Sequence, residues 1–166
     1  LGQGIEQREA SETDIEQAQN RLSRLNESNS GESVAMLRAE LQDVMQNHFG
    51  VFRRGDFMQD GIKKLAALRE RIANVHLEDK SQTFNTARIE ALELENLFEV
   101  AEATAIAAEA RNESRGAHAR DDFRERDDEN WLCHSMYFPG DRRVGKRDVN
   151  FSPKTVDTMK PQIRSY

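Results

Sequence analysis

Cysteine and tryptophan each occur once in these 166 residues, and proline three times. A single cysteine excludes an internal disulfide and fits a reducing compartment. No apolar run approaches the roughly 20 residues needed to span a bilayer, so no direct membrane span is expected. No charged-then-apolar N-terminal stretch marks a signal peptide. Positive charge is not in excess: the net charge of -6 argues against a nucleic-acid partner held by phosphate neutralisation. Sequence motifs of chemistry are lacking too. There is no G-x-G-x-x-G, no P-loop and no G-x-S-x-G, and no C-x-x-C or H-x-x-x-H spacing supports a metal site.

What is abundant is charge, at 33% of residues against 37% apolar, with a mean hydropathy of -0.83. That balance suits exposed amphipathic helices. Residues 1–10 carry two glycines and no periodicity and read as a linker. Ser11 and Asp14 form a capping arrangement, followed by an apolar stripe at Ile15, Ala18, Leu22 and Leu25. A second stripe, Val34, Leu37, Leu41 and Val44 with His48 at its edge, starts after Ser33 and closes at Gly50. His48 is expected to pack or cap, Phe52 to fold back, and Arg53 and Arg54 to stay solvated. Asp56 is expected to cap a third helix. There Met58, Gly61, Leu65, Leu68, Ile72 and Val75 alternate three- and four-residue steps, a coiled-coil-like seam. Lys63, Lys64, Arg69, Glu70 and Arg71 fall on its wet side.

After a turn over 76–83, Asn85 or Thr86 opens the longest helix, to about Arg111 and some 40 Å long. Ile89, Leu92, Leu97 and Val100 supply its apolar surface, and glutamates at 90, 93, 95, 99 and 102 make its outer side acidic. Alanines at 101, 103, 105, 107, 108 and 110 are small on nearly every face, which suits close contact with more than one neighbour. The fold class is therefore all-α: an antiparallel three-helix, spectrin-repeat-like bundle over 11–112, including a preceding shorter helix. Residues 113–166 form an irregular C-terminal strap containing a short β-hairpin, with strands expected in 131–138 and 147–151, and a basic tail. The strap and tail are expected to pack on the bundle or on other domains.

The strap concentrates arginines, acids, two histidines, Trp131 and Cys133. Cys133 and His134 are adjacent, so on a strand they point to opposite faces and make no nucleophile–base pair. Asp127 and Asp128 beside Arg124 and Arg126 read as ion pairs, not as carboxylates set apart to titrate differently. Gly116 reads as a helix stop free to turn left-handed. Arg115 is expected to pair with an acid, Glu113, Asp127 or Asp128. The residues expected to have structural or interface roles are Glu113, Arg115, Gly116, His118, Asp127, Asp128, Trp131 and Tyr166. No catalytic, cofactor-binding or metal-binding residue is assigned.

E-S-R-G-A-H at 113–118, R-D-D-E-N-W-L-C-H at 126–134 and the ending P-Q-I-R-S-Y resemble the C-terminal region of the succinate dehydrogenase/fumarate reductase flavoprotein family. H-L-E-D-K-S-Q-T-F-N-T at 76–86 and M-Q-N-H-F-G-V-F-R at 45–53 carry the same likeness, which spans about residues 11–166. W-L-C-H and I-R-S-Y favour succinate dehydrogenase within it. The resemblance implies a parent that oxidises succinate to fumarate with FAD and passes electrons to an iron–sulfur subunit. It places that parent on the cytoplasmic face of the bacterial inner membrane. The family's flavin- and dicarboxylate-binding motifs lie upstream of the matched region, so the resemblance implies a non-catalytic domain joined through residues 1–10 to a flavin domain. The equivalent domain of fumarate reductase or L-aspartate oxidase, and a free-standing helical adaptor, are the alternatives.

Overall fold

The computed structural model describes residues 9–159 and 161–162. Helix α1, Glu12–Glu27, begins at a reciprocal capping box. The Ser11 hydroxyl accepts from the Asp14 N–H and the Asp14 carboxylate from the Ser11 N–H, both at 3.2 Å. Of its apolar stripe only Leu25 is buried. Ile15 and Leu22 remain 47% and 45% exposed, so the expected α1 core face is largely uncovered. A stripe's period shows that a helix has an apolar flank, not that another element stands against it. Ion pairs hold α1 instead: Arg21 and Arg24 both engage Glu95 on the longest helix.

Helix α2, Val34–Phe49, buries Val34, Leu37, Leu41, Val44 and Phe49 and ends at Gly50. Helix α3, Gly55–Ile72, buries Met58, Gly61, Leu65, Leu68 and Ile72. Gly61 is the point of closest approach: a Cβ there would lie 2.5 Å from the His48 Cβ and 2.6 Å from the Phe49 ring. Asp56 is not the cap of α3. Arg54 occupies that position without a side-chain cap bond, and Asp56 sits in the first turn paired with Arg54 at 2.6 Å. Val75 is buried but lies beyond the helix, in a single parallel bridge to Glu32.

Helix α4, Thr86–Ala110, is capped by the Asn85 side chain and buries Ala91, Leu94, Phe98, Ala101, Glu102, Ala105 and Ala108. Together α2, α3 and α4 enclose one apolar core, the expected three-helix bundle. Beyond it the chain makes a short helix α5, Asp128–Trp131, and a hairpin of β3, Cys133–Phe138, with β4, Arg143–Asp148. The register pairs Cys133 with Asp148 and Phe138 with Arg143. The second strand therefore begins earlier than its aromatic content suggested, and Trp131 belongs to α5.

One small sheet joins strap to bundle. Strand β1, Phe52–Arg53, lies in the α2–α3 connection and pairs in parallel with β2, Ala119–Arg120, in the strap. Phe52 does not fold back; it is 77% exposed, whereas Arg53 is half-buried. The reason is the period of two in a strand, which directs successive side chains to opposite sides.

Candidate functional site

The strap is built around buried charge. Glu113, three residues beyond the end of α4, is fully buried. Its Oε1 accepts from Arg111 Nη1 at 2.5 Å and Arg115 Nε at 2.7 Å. Its Oε2 accepts from Arg115 Nη2 at 3.0 Å and the Asp127 N–H at 2.9 Å. Burial acts to raise its pKa, but the bonds from Arg115, the Asp127 N–H and Arg111 outweigh it and hold the carboxyl below its ordinary value. Arg115 also reaches Asp128 at 2.7 Å, and its own pKa is raised by Glu113. Asp127 contributes backbone to Glu113, while its carboxylate caps α5 by accepting from the Glu129 and Asn130 N–H groups.

Gly116 makes the tight turn that brings the next residues back. Its φ of +58° is left-handed, where glycine avoids a Cβ penalty, and Arg115 and His118 exchange both backbone hydrogen bonds across it at 2.9 and 3.0 Å. His118 then lies between bundle and strap. Its Nδ1 accepts from Arg53 Nη1 at 2.8 Å and its Nε2–H donates to the Arg111 carbonyl at 3.1 Å. Arginine cannot act as acceptor, so these bonds fix a neutral imidazole with the proton on Nε2. Burial lowers its pKa, the Arg111 carbonyl opposes that, and the charges of Arg53, Arg120 and Arg111 lower it further.

Arg120 was not among the expected residues, yet it is only 3% exposed. Its Nη1 donates to the carbonyls of Glu109 at 3.0 Å and Arg111 at 3.2 Å, a cation placed on the negative end of α4. Arg111 was missed as well. It donates to the Trp131 carbonyl at 2.9 Å and the Cys133 carbonyl at 2.6 Å, and its guanidinium centre lies 5.1 Å from the Trp131 ring. Lys146 covers the same ring at 3.7 Å. Farther along α4, buried Glu102 binds Arg69 and accepts from the Tyr137 hydroxyl at 2.9 Å, which anchors the hairpin. No local sequence signal marks these roles, because each partner is supplied by a distant segment. Tyr166 lies outside the described residues.

As chemistry, this arrangement is an internally neutralised framework. Its acids and arginines face one another, and its one half-buried histidine is held neutral by two bonds. Among the described residues no group of three or more His, Cys, Asp and Glu could hold a metal ion. No described helix is long and apolar enough to cross a membrane.

Residues 38–166 match the family model described as fumarate reductase flavoprotein C-term. The chain belongs to that family. It is 47% identical over 160 residues to a succinate dehydrogenase flavoprotein subunit of Coxiella burnetii, covering 96% of this chain and 27% of that protein. It is 36% identical to a fumarate reductase flavoprotein subunit of Haemophilus influenzae, covering 88% of this chain and 24% of that one. Among solved structures, an E. coli quinol fumarate reductase chain superposes with a TM-score of 0.77 at 38% identity, over 92% of this chain and 27% of that one. Mycobacterium smegmatis Sdh1 gives 0.71 at 33% identity, over 88% and 25%. The chain thus spans about a quarter of the length of the curated relatives it matches, and corresponds to their C-terminal domain. An Archaeoglobus fulgidus adenylylsulfate reductase, at 18% identity and a TM-score of 0.72, shares the fold.

The relatives are flavoproteins, so the described residues can be tested for a flavin seat. A dinucleotide phosphate needs a glycine-lined helix N-terminus with free N–H groups. Gly55 opens α3, but its N–H donates to the Asp122 carboxylate at 2.9 Å, which already occupies the anion position. The described residues do not fit a dinucleotide there.

Proposed function

We propose that this chain is the non-catalytic C-terminal domain of a succinate dehydrogenase flavoprotein. The parent oxidises succinate to fumarate with FAD and passes electrons to an iron–sulfur subunit at the cytoplasmic face of the bacterial inner membrane. The observation that carries this reading is the strap, where the charged side chains expected to have structural roles are spent on one another and on backbone carbonyls. In the parent, the domain gives the flavin domain a rigid helical support. Glu113, Arg115, Gly116, His118, Asp127, Asp128, Trp131 and Tyr166 shape the strap and tail that set contacts with that domain and with the iron–sulfur subunit. Residues 1–10 serve as the linker, 11–112 as the bundle and 113–166 as the strap.

The purified chain is expected to be colourless, folded and mainly helical, with no succinate-dependent dye reduction. A bound-flavin spectrum from these residues alone overturns the proposal. The equivalent domain of a fumarate reductase is the second reading, supported by the 38% identity to the E. coli enzyme. It predicts that the intact parent, assayed with quinol and quinone analogues, favours fumarate reduction over succinate oxidation.

A further inference from the structure

Helix α1 is the least covered of the long helices. Every residue from Glu12 to Asn20 is exposed, and only Leu25 reaches the core. Its start is nonetheless well made, with the Ser11–Asp14 capping box satisfying the first turn, so the exposed turns have local support of their own. From Leu25 back to Glu12 this arm is about 20 Å long.

The arm is attached in two different ways. At its C-terminal end Leu25 is fully buried in the core, and the backbone around it is pinned by the 76–80 turn. Lys80 Nζ donates to the Leu25 carbonyl at 3.0 Å and also to the Ser28 carbonyl. His76 Nδ1 donates to the same Ser28 carbonyl at 3.1 Å. A cation on the last carbonyls suits the negative end of a helix.

One turn earlier the attachment is polar only. Arg21 and Arg24 converge on Glu95 of α4. Arg21 adds bonds to the Leu92 carbonyl at 3.0 Å and the Asn96 side chain at 2.9 Å, and Arg24 adds one to the Ala73 carbonyl. Beneath these arginines lies a cavity of about 330 Å³ between α1, α3 and α4, where a packed helix would have side chains. The two arginine side chains keep 40% and 34% of their surface exposed, so dissolved ions reach both pairs. Such pairs are screened over about 10 Å at 0.1 M salt and about 3 Å at 1 M, whereas burial of Leu25 is an apolar contact that this screening leaves in place.

We propose that α1 is a hinged arm with its pivot at Leu25–Ser28 and a single ionic latch, Glu95, so that ionic strength sets the angle at which the arm leaves the bundle. Closed, the latch holds the arm at one angle to α4. Screened, it leaves the pivot as the only firm attachment, and the arm swings as an intact helix about a few element-terminal residues. Arg21 is about 6 Å along the helix from Leu25 and Glu12 about 20 Å, so a shift at the latch is enlarged about threefold at the tip. Both cations depend on one carboxylate, so one change in α4 opens the latch. The arm's angle sets the direction from which the chain enters the bundle, and the device does not depend on which parent enzyme the chain belongs to.

The test measures distances between spin labels on this chain in a Cys133→Ser background, with Gln17→Cys on the arm and Val100→Cys on α4. One narrow spacing is expected at about 20 mM NaCl, and a distribution at least about twofold broader at about 1 M. Glu95→Gln is expected to give the broad distribution already at low salt. Glu32→Gln, which removes a carboxylate from the separate pair with Arg71, is expected to leave it narrow. Two further label pairs separate swinging from other motions. Thr13→Cys with Ser23→Cys, both inside the arm, is expected to keep its spacing throughout, as is Glu27→Cys beside the pivot with Val100→Cys. A Gln17–Val100 spacing that ignores either salt or Glu95→Gln overturns the proposal. So does broadening within the arm, which means that the helix melts, or beside the pivot, which means that the whole attachment gives way. A salt response that disappears on dilution assigns the motion to contact with a second copy and overturns the proposal too. The salt series leaves the latch unsubstituted, so it decides the matter even for a Glu95→Gln chain that fails to fold.

Discussion

Arg120 and Asp122 face each other in a two-point ion pair, Nε to Oδ1 at 2.7 Å and Nη2 to Oδ2 at 2.8 Å, that joins the ends of two helices. Arg120 also covers carbonyls at the α4 C-terminus, while Asp122 accepts from the Gly55 N–H at the α3 N-terminus. Each charge therefore sits on the helix end of opposite sign. Arg120→Met keeps the volume but leaves Asp122 and the α4 carbonyls without their cation. A loss of about 3 kcal/mol is expected, as for a buried pair broken on one side, read from urea unfolding of the variant. An unchanged midpoint means that the strap does not clamp the bundle.

A second clamp acts through Glu113 and Arg115. Glu113 is the more deeply buried partner, so Glu113→Gln is expected to cost about 3 kcal/mol, because an amide group then faces several N–H donors. Arg115 is partly exposed and leaves Glu113 with Arg111 and the Asp127 N–H, so Arg115→Ala is expected to cost less, about 2 kcal/mol. For a chain of this size those losses lower the melting temperature by very roughly 4–12 °C. The order of the two variants in thermal unfolding is the check; a more damaging Arg115→Ala contradicts the burial argument.

How far the sequence reaches depends on the distance between partners. The α2 and α3 stripes, Leu37, Leu41 and Val44 against Met58, Leu65, Leu68 and Ile72, are legible because a 3.6-residue period and one shared core decide them together. Arg115 with Glu113 is legible because the two are close neighbours in the chain. Ile15 and Leu22 show the limit, since periodicity names a flank without naming its cover. Glu102 and Arg69 show another. Both fell on faces expected to be wet, but the hairpin folds back so that Tyr137 reaches Glu102, and Arg69 lies 5.1 Å over the Phe98 ring. Arg53 gains its role only when β1 meets β2, a contact that joins residues far apart in the chain, and Arg111 and Arg120 gain theirs when the strap folds back on the end of α4.

Gly61 carries the closest contact between α2 and α3. Replacing glycine with alanine inside a helix normally gains about 1 kcal/mol. Here the added methyl would sit 2.5 Å from the His48 Cβ and 2.6 Å from the Phe49 ring, distances that force the two helices apart. Overpacking of this kind costs about 1–3 kcal/mol, added to the strain on the His48 Nδ1 bond to the Phe57 carbonyl at 2.8 Å. Gly61→Ala is expected to destabilise the chain by about 2 kcal/mol net. A rise in the unfolding midpoint shows that helix propensity dominates at this position.

Acid is expected to loosen the strap in two stages, and the sign follows from the direction of each shift. His118 has its folded pKa below the ordinary 6.5, so below that value the unfolded chain takes up its proton before the folded chain does. Its contribution to stability is complete above pH 6.5 and is lost as pH falls through the folded pKa. Protonation would turn Nδ1 into a donor aimed at Arg53 and add a cation beside Arg53, Arg111 and Arg120. Glu113 and Asp122 have pKa values depressed from 4.5 and 3.8, so their contributions are complete above those values and are lost at lower pH. Unfolding free energy measured against pH should therefore decline first just below 6.5 and again below about 4.5. In His118→Gln the first decline should be much reduced and the second should remain. NMR titration of the His118 ring supplies the independent check, and a midpoint above 6.5 would falsify the neutral, Nε2-protonated arrangement.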